Sequence, residues 1–307
     1  MFKIPNIPSP QANPNDLADF IELECIKKNI VSARDIIAAL NRLSDNDHSD
    51  GVDEEDTIDY SVEAAFSEIE DRIKFSNYRY PFELDTTGSI LTQQKNGGDI
   101  FYWLYLYLLL ATRLNMKDFR TYAGIDGSLL FEELSAEIAK NYLGDRAQAL
   151  VFGTASGAKD FPEKINNLCF FLEEGGCFKQ RDISPPTAKD GKLDIVVLKH
   201  FSDKRSGKLI GFGQCKTGTS WKDTLAQLQP QSFCTKWLTD MPIITPIRLF
   251  FLCEALSKST WHTNSSDAGI LFDRCRFMDY SENVSEHLSE KILLWTKAAV
   301  KHFITAS

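Results

Sequence analysis

The sequence contains no apolar run long enough to cross a membrane. The longest such run, from Tyr102 to Ala111, falls well short of the roughly 20 residues that a spanning helix needs, so it predicts a buried helix. No basic stretch followed by an apolar stretch and a small-residue cleavage site opens the chain, so no signal peptide is expected. These absences predict a cytoplasmic protein that is not embedded in a membrane.

Patterns for common metal and nucleotide sites are also missing. The seven cysteines include no Cys-x-x-Cys pair, and the five histidines show no spacing suited to zinc or to a catalytic triad. Most cysteines have apolar neighbours, which indicates free thiols packed in a core and a reducing compartment. The segment 152–157 contains glycines but lacks the Gly-Lys-Ser/Thr ending of a phosphate-binding loop, so any NTPase would be a partner protein.

The chain has little excess of positive charge anywhere except in one stretch. Its net charge of −9 argues against a protein coated in basic surface for nucleic acid. From Asp45 to Asp71 there are twelve acidic residues and no Lys or Arg, which predicts a solvated loop and helix face or, alternatively, a docking surface. From Lys179 to Lys222 there are ten Lys and Arg against four Asp, a local balance that would attract phosphate.

The spacing of apolar residues predicts two regions. Residues 1–120 are expected to be mainly helical, with a poorly ordered arm up to about residue 15, a polar acidic linker over 44–58 and one short strand over 77–99. Residues 121–307 are expected to form an α/β region, in which a central mixed sheet is flanked by helices. A single continuous domain is the alternative. The predicted helices are 16–43 (two helices, the second beginning near Ser32 or Asp35), 60–75, 100–116, 128–143, 160–174, 221–239 and 285–304; the predicted strands are 148–153, 177–183, 192–200, 208–216, 246–253 and 269–277.

The segment 191–218 reads as two apolar strands joined by a polar turn. Asp194 enters the first strand, and Gln214 and Lys216 leave the second. Residues 214 and 216 are two apart on one strand, so their side chains point to the same face and that of Cys215 points to the other. The hairpin brings Asp194 close to the pair. An acid, an amide oxygen and an ammonium at one strand end could hold a hard divalent cation against a phosphate and orient a water for attack.

The order of elements around this hairpin adds to the pattern. A helix with the sequence Phe-Glu-Glu-Leu at 131–134 precedes the strand of Asp194, the hairpin then leads to Gln-Cys-Lys at 214–216, and an amphipathic helix begins near Trp221. This arrangement resembles the PD-(D/E)xK restriction-endonuclease-like superfamily, and the helix resembles its Mrr-like and Holliday-junction-nuclease-like branches. The resemblance covers roughly residues 126–255. It implies a four-stranded mixed sheet flanked by helices and Mg²⁺-dependent phosphodiesterase activity.

The resemblance also implies roles for individual residues. Asp194 matches the metal-binding aspartate, and Lys216 matches the lysine that positions or helps to deprotonate the water. Gln214 stands where most members carry Asp or Glu, and the carbonyl of Cys215 falls where the family takes a backbone metal ligand. Glu132 matches the glutamate that completes the acidic cluster.

Two points stay open at this stage. A helical wheel places Glu137 closer than Glu132 to the buried face of its helix, and Glu133 is a third possibility for the acidic cluster. In addition, the amide of Gln214 supplies a neutral oxygen where a carboxylate would supply charge, so the affinity for Mg²⁺ should be lower.

The predicted function is hydrolysis of DNA phosphodiester bonds by a metal-dependent endonuclease that uses Mg²⁺, with Mn²⁺ as a substitute. The resemblance further implies the nuclease subunit of a prokaryotic anti-phage defence or restriction system, with an ATPase or sensor protein as partner. A homo-oligomer is also possible, because many such nucleases need two sites to cut both strands. The alternative is a catalytically inactive nuclease fold that acts as a nucleic-acid-binding or scaffold subunit, which Gln214 favours.

Overall fold

The computed structural model describes residues 8–9, 12–44, 53–94, 99–153, 160–181 and 191–305. Before residue 120, these ranges form a helical layer with a small antiparallel sheet, whose strands lie in the order β1–β3–β2. Its elements are α1 (Pro14–Lys28), β1 (Ile30–Ser32), α2 (Ala33–Ser44), α3 (Asp53–Phe75), β2 (Phe82–Leu84), β3 (Ile90–Gln93) and α4 (Ile100–Arg113). The predicted helical character of this region is therefore confirmed.

Local side-chain contacts explain where these helices start. The side chain of Asn13 accepts the backbone N–H of Asp16 at 3.0 Å, so α1 begins at Pro14, inside the segment predicted as an arm. Ser32 and Asp35 exchange hydrogen bonds between side chain and backbone, which caps α2 where a helix start was predicted.

Two other segments of this region differ from the prediction. Over 77–99 the structure has two strands, β2 and β3, where one was predicted. Most of the acidic linker, 45–52, lies outside the described residues, and α3 begins within its last part.

After residue 120 the described chain forms a five-stranded mixed sheet flanked by helices, as the sequence predicted. The strands lie side by side in the order β6–β7–β8–β9–β10. The β6–β7 and β7–β8 pairs are antiparallel, whereas β8–β9 and β9–β10 are parallel. The elements are β4 (Thr121–Tyr122), β5 (Ile125–Asp126), α5 (Gly127–Leu143), β6 (Ala147–Val151), α6 (Phe161–Leu172), β7 (Ile195–Lys199), β8 (Leu209–Lys216), α7 (Pro230–Trp237), β9 (Ile247–Leu252), α8 (Lys258–Ala268), β10 (Ile270–Phe272), α9 (Arg274–Asp279) and α10 (Glu286–Thr305).

The two faces of this sheet are covered by different helices. Ile195 and Val197 of β7 belong to the core that contains α4, α5 and α10, whereas Val196 and Phe212 belong to a second core with α6 and α7. The alternation follows from the pleat of the strands. Each face is therefore closed by apolar packing, and polar groups can gather only at the ends of the strands.

Three sequence predictions in this region are wrong. Of the strand expected at 177–183, the structure describes residues 177–181, and these form only an isolated bridge between Phe178 and Leu238. Side chains bind the local N–H groups there: Asn166 accepts that of Phe178 at 2.8 Å. The helix expected at 221–239 is instead a 3-10 turn at 222–224 followed by α7. That helix begins at Pro230, since proline has no N–H and suits a first helical position.

The strand expected at 269–277 ends at Phe272, because the next residue starts a helix. Asp273 accepts the N–H of Arg276 at 3.0 Å and caps α9. The helix α8 was not predicted, since Ala268 is its only buried residue and the segment has no apolar period. Asp273 forms no ion pair with its neighbour Arg274 in the described part of the chain, because Arg274 pairs with carboxylates of α1.

Those partners belong to a buried ionic cluster of Asp19, Glu22, Arg72, Arg113 and Arg274. Nη1 of Arg274 lies 2.8 Å from Oδ1 of Asp19, and Nη1 of Arg72 lies 2.7 Å from the same oxygen. Burial by itself would raise the pKa of Asp19, but the three guanidinium groups lower it overall. The cluster therefore ties the N-terminal helices to α9 through charges that water does not reach.

The helical layer and the sheet also share one apolar core. The helix α10 packs against both α4 and α5, and residues from both regions contribute to the largest buried cluster. The change near residue 120 is thus a change in secondary structure within continuous packing. Within the described ranges, no helix is long and apolar enough to span a membrane.

Candidate functional site

The hairpin β7–β8 brings Asp194 to the residues at the end of the second strand. Ile195 pairs with Gly213, so Asp194 lies one residue before β7 and beside the last residues of β8. The N–H of Asp194 donates to the carbonyl of Gly213 at 2.9 Å. In the other direction, the N–H of Cys215 donates to Oδ2 of Asp194 at 2.7 Å. The carboxylate is therefore held against the Gln-Cys-Lys segment by a charge-assisted hydrogen bond.

The end of β6 meets Asp194 from the other side. The carbonyl of Asp194 accepts the N–H of Phe152 at 2.7 Å and that of Gly153 at 2.9 Å. Three strand ends thus converge on one residue. A position held by backbone bonds on both sides keeps its side chain in one place, as a preorganised site requires.

Glu132 approaches the same place from α5. A Cβ atom on Gly153 would lie 2.5 Å from Oε2 of Glu132, so the carboxylate occupies the space that the glycine leaves empty. Gly153 in turn donates to Asp194. The structure therefore brings the two acidic side chains that the sequence singled out to one edge of the sheet.

The other two glutamates of α5 point toward α10. Glu133 forms a salt bridge of 2.7 Å with Lys291. Glu137 accepts the N–H of Ser285 at 2.8 Å and its hydroxyl at 2.6 Å. The helical wheel favoured Glu137 because this residue lies close to the buried stripe of α5. At Glu137, however, that stripe faces α10 and not Asp194. Of the three candidates, the structure brings Glu132 alone beside Asp194.

Gln214 is buried at the end of β8 with an unused acceptor. Its side chain is 1% exposed, and among the described residues no donor reaches its Oε1. A buried amide oxygen without a donor costs about 1–3 kcal/mol. Such an atom suits a ligand, a water or a cation.

Lys216 and Cys215 end the same strand on opposite faces. Lys216 is half-buried, and its ammonium has no hydrogen bond or ion pair within the described part of the chain. The thiol of Cys215 lies on the α5 side, as predicted, where burial raises its pKa, with further contributions from Asp194 and Glu132. Cys215 is therefore a packed thiol, and its N–H binds the carboxylate of Asp194.

The donor set at this edge suits a hard divalent cation such as Mg²⁺. It comprises the carboxylates of Asp194 and Glu132 and the orphan amide oxygen of Gln214. The carbonyl of Cys215, a residue whose N–H binds Asp194, is a further neutral oxygen at this edge. Among the described residues, no group of three or more His, Cys, Asp or Glu side chains could hold a metal ion. Two carboxylates and two neutral oxygens are consistent with that finding.

Sequence reasoning missed two residues at this site. Gly153 makes room for Glu132, and Lys164, in the first turn of α6, donates to the carbonyl of Gly153 at 2.8 Å. Gly153 is the last residue of a predicted strand, and Lys164 lies near the start of a predicted helix. No other feature of the sequence pointed to either residue. Lys164 adds a second ammonium near the two carboxylates.

Comparison with known proteins gives no relative for this chain. No family model matches it, and no curated protein or solved structure does so. Whatever this site does has to be inferred from its own residues and geometry.

Proposed function

We propose that the chain is a metal-dependent endonuclease that hydrolyses DNA phosphodiester bonds at the Asp194 edge of the sheet. One observation carries the proposal: the 2.7 Å hydrogen bond from the N–H of Cys215 to Asp194. It holds an acid beside Gln214 and Lys216 in the order and on the hairpin that the PD-(D/E)xK pattern requires. The five-stranded mixed sheet flanked by helices is compatible with a restriction-endonuclease-like core.

The acidic, amide and basic side chains of the site would have different roles in this reaction. Asp194, Glu132 and Gln214 would hold Mg²⁺, which would supply positive charge against the scissile phosphate. The ammonium of Lys216, which no acceptor of the described residues binds, would donate to a phosphate oxygen or to the attacking water and offset charge that develops in the transition state. Lys164 binds the neighbouring phosphate and keeps the substrate close to the carboxylates.

The stretch of sequence that contains the site supplies an electrostatic reason for DNA to bind this protein. Lys179–Lys222 carries ten Lys and Arg against four Asp in a protein of net charge −9, which favours contact with a polyanion along this stretch. Of these cations, Lys192 and Lys216 lie near Asp194, whereas Lys204 and Arg205 lie at the far turn of the hairpin.

The biological setting we propose is a prokaryotic anti-phage defence or restriction system, in which this chain is the cytoplasmic nuclease subunit. This assignment is supported by the superfamily resemblance. The sequence has no phosphate-binding loop, so an ATPase or sensor would be a separate protein, and the acidic stretch Asp45–Asp71 is the proposed surface for it. A homo-oligomer would supply the second site for cutting both strands.

A second candidate function is a catalytically inactive scaffold that binds nucleic acid through the same fold. Gln214 favours it, because a neutral amide replaces an anionic ligand at a position that is 1% exposed. The loss of one charge weakens a Mg²⁺ site that relies on anionic oxygen.

Plasmid cleavage separates the two candidates. Purified protein is incubated with supercoiled DNA in Mg²⁺ or Mn²⁺ and compared with EDTA, Asp194→Asn and Lys216→Ala. Asp194→Asn removes the charge but keeps an acceptor for Cys215. The matched controls are Asp203→Asn, at the far turn of the hairpin, and Lys236→Ala, on the exposed side of α7.

Metal-dependent cleavage that is lost in both site variants and kept in both controls supports the nuclease. If all five proteins fold and bind DNA alike and none cuts, the scaffold function replaces it. Cleavage that survives Asp194→Asn would place the chemistry elsewhere and refute the assignment of this site.

A further inference from the structure

A cavity with aromatic and basic walls lies outside the candidate site. It has a volume of about 980 Å³ and opens between α6 and the start of β6, which is an edge strand among the described residues. Two phenylalanine side chains stand at its rim, Phe170 with 87% of its surface exposed and Phe201 with 61%. Arg146 and Lys204 lie in the same wall.

Exposed aromatic rings beside cations suit a particular ligand. A planar base stacks on a phenylalanine ring, and the adjoining phosphate is neutralised by Arg or Lys. Arg146 is oriented for this by a hydrogen bond of 2.9 Å to the hydroxyl of Ser202. The amides of Gln148 and Asn167 line the same cavity and could bind base edges.

The cavity is connected to the candidate site along α6. Lys164, Asn167 and Phe171 follow one another at helical spacing on one side of α6, with Asn167 and Phe171 lining the cavity. Lys164 reaches the carbonyl of Gly153, beside Asp194. The span from residue 164 to 171 is about 10 Å along the helix, which is about three stacked nucleotides.

We propose that this cavity binds single-stranded nucleic acid. Its bases stack on Phe170 and Phe201, its phosphates contact Arg146 and Lys204, and the strand runs along α6 toward Asp194. An unpaired strand is required, because the faces of bases in a duplex are already stacked on their neighbours. The direction of the strand rests on the proposed nuclease function, whereas the binding site itself does not.

Fluorescence anisotropy in EDTA tests the site without cleavage. The probes are a labelled single-stranded DNA oligonucleotide and the duplex of the same sequence. The variants are Phe170→Ala and Phe201→Ala, and the matched control is Tyr60→Ala, an aromatic residue on α3 that is 73% exposed. Light scattering on each protein reports its association state.

The wild type is expected to bind the single strand more tightly than the duplex. Each phenylalanine variant should weaken single-strand binding about fivefold or more, the loss expected when one stacked base loses its ring. Tyr60→Ala should bind like the wild type. If the wild type binds the single strand but never cleaves DNA, the binding site in the cavity stands and the proposed nuclease function is refuted.

Equal affinity of both phenylalanine variants and the wild type overturns the inference, even if the protein proves to be a nuclease. A lower molecular mass in the variants with unchanged DNA binding also overturns it, since the rings would then mediate contact between two copies of the chain.

Discussion

Replacement of Arg274 by methionine should destabilise the whole molecule. The guanidinium is fully buried, with Nη1 at 2.8 Å and Nη2 at 3.1 Å from the carboxylate of Asp19, and it also donates to the carbonyl of Cys253. Methionine is a similarly long side chain without the charge, so the change mainly leaves a buried carboxylate short of one cation. Removal of one partner from a buried ion pair costs about 3–5 kcal/mol, a large share of the roughly 5–15 kcal/mol that holds a protein folded.

Urea unfolding at neutral pH measures this loss through tryptophan fluorescence and far-ultraviolet circular dichroism. The control is Arg276→Met on the same helix, whose side chain is exposed and stacks at 4.4 Å over the ring of Trp261; a change under about 1 kcal/mol is expected there. Because the cluster joins both ends of the chain, both probes should report one transition. A loss below about 1 kcal/mol for Arg274→Met would refute the reasoning, as would separate transitions for the two probes.

Four further predictions follow from the site and the core. Gly153→Ala should reduce the rate of plasmid cleavage with an unchanged circular dichroism spectrum, because the added Cβ displaces the carboxylate of Glu132; an unchanged rate would mean that this carboxylate is not needed. Gln214→Glu restores an anionic ligand and should lower the Mg²⁺ concentration for half-maximal cleavage, and a rise in that concentration would contradict the proposed ligand set. In a titration with a thiol reagent, Cys177 should react rapidly and the other six cysteines slowly, because the side chain of Cys177 is exposed and theirs are wholly or partly buried. Cys177→Ser should abolish the fast phase of the reaction. The three arginines lower the pKa of Asp19 although burial alone would raise it, so they stabilise the fold fully above about pH 4 and less as the pH falls further. The melting temperature should therefore fall on acidification below about pH 4. A melting temperature that rises would contradict the role of the cluster.

The hairpin and its polar end could be predicted from the sequence because their signal is local. Two apolar runs separated by a polar turn predict two adjacent strands, and a spacing of two residues places Gln214 and Lys216 on one face. Asp194 then follows from the register. None of this needs knowledge of distant parts of the chain.

The glutamate of α5 could not be chosen from the sequence because the choice depends on three-dimensional surroundings. Glu132, Glu133 and Glu137 all lie near the buried stripe of the helix, and only the positions of Gly153 and α10 separate them. A helical wheel describes burial, but it does not say which wall a side chain faces.

The three wrong predictions of strand or helix after residue 120 share one physical cause. At each of them, a capping or backbone-binding side chain or a proline decided the local conformation. Asp273 caps α9 and so ends the strand before it. Asn166 accepts the N–H of Phe178, which is then not available for pairing with another strand. Pro230 begins α7 nine residues after the helix start that apolar spacing predicted. Such side chains act on single backbone groups, which an average over a window of residues does not register.

The buried ionic cluster has a consequence for the order in which the protein matures on the ribosome. The hairpin that carries Asp194, Gln214 and Lys216 spans a short stretch of chain, so it can close as soon as it emerges. Asp19 contacts Arg274 across 255 positions of sequence, and Trp103 of α4 accepts a hydrogen bond from Thr296 of α10 across 193 positions. During synthesis the N-terminal helices therefore stay incompletely buried until α9 and α10 have been made. If the site hydrolyses DNA as we propose, the packing around it is complete only after α10 has been translated, so a shorter fragment would lack the folded nuclease.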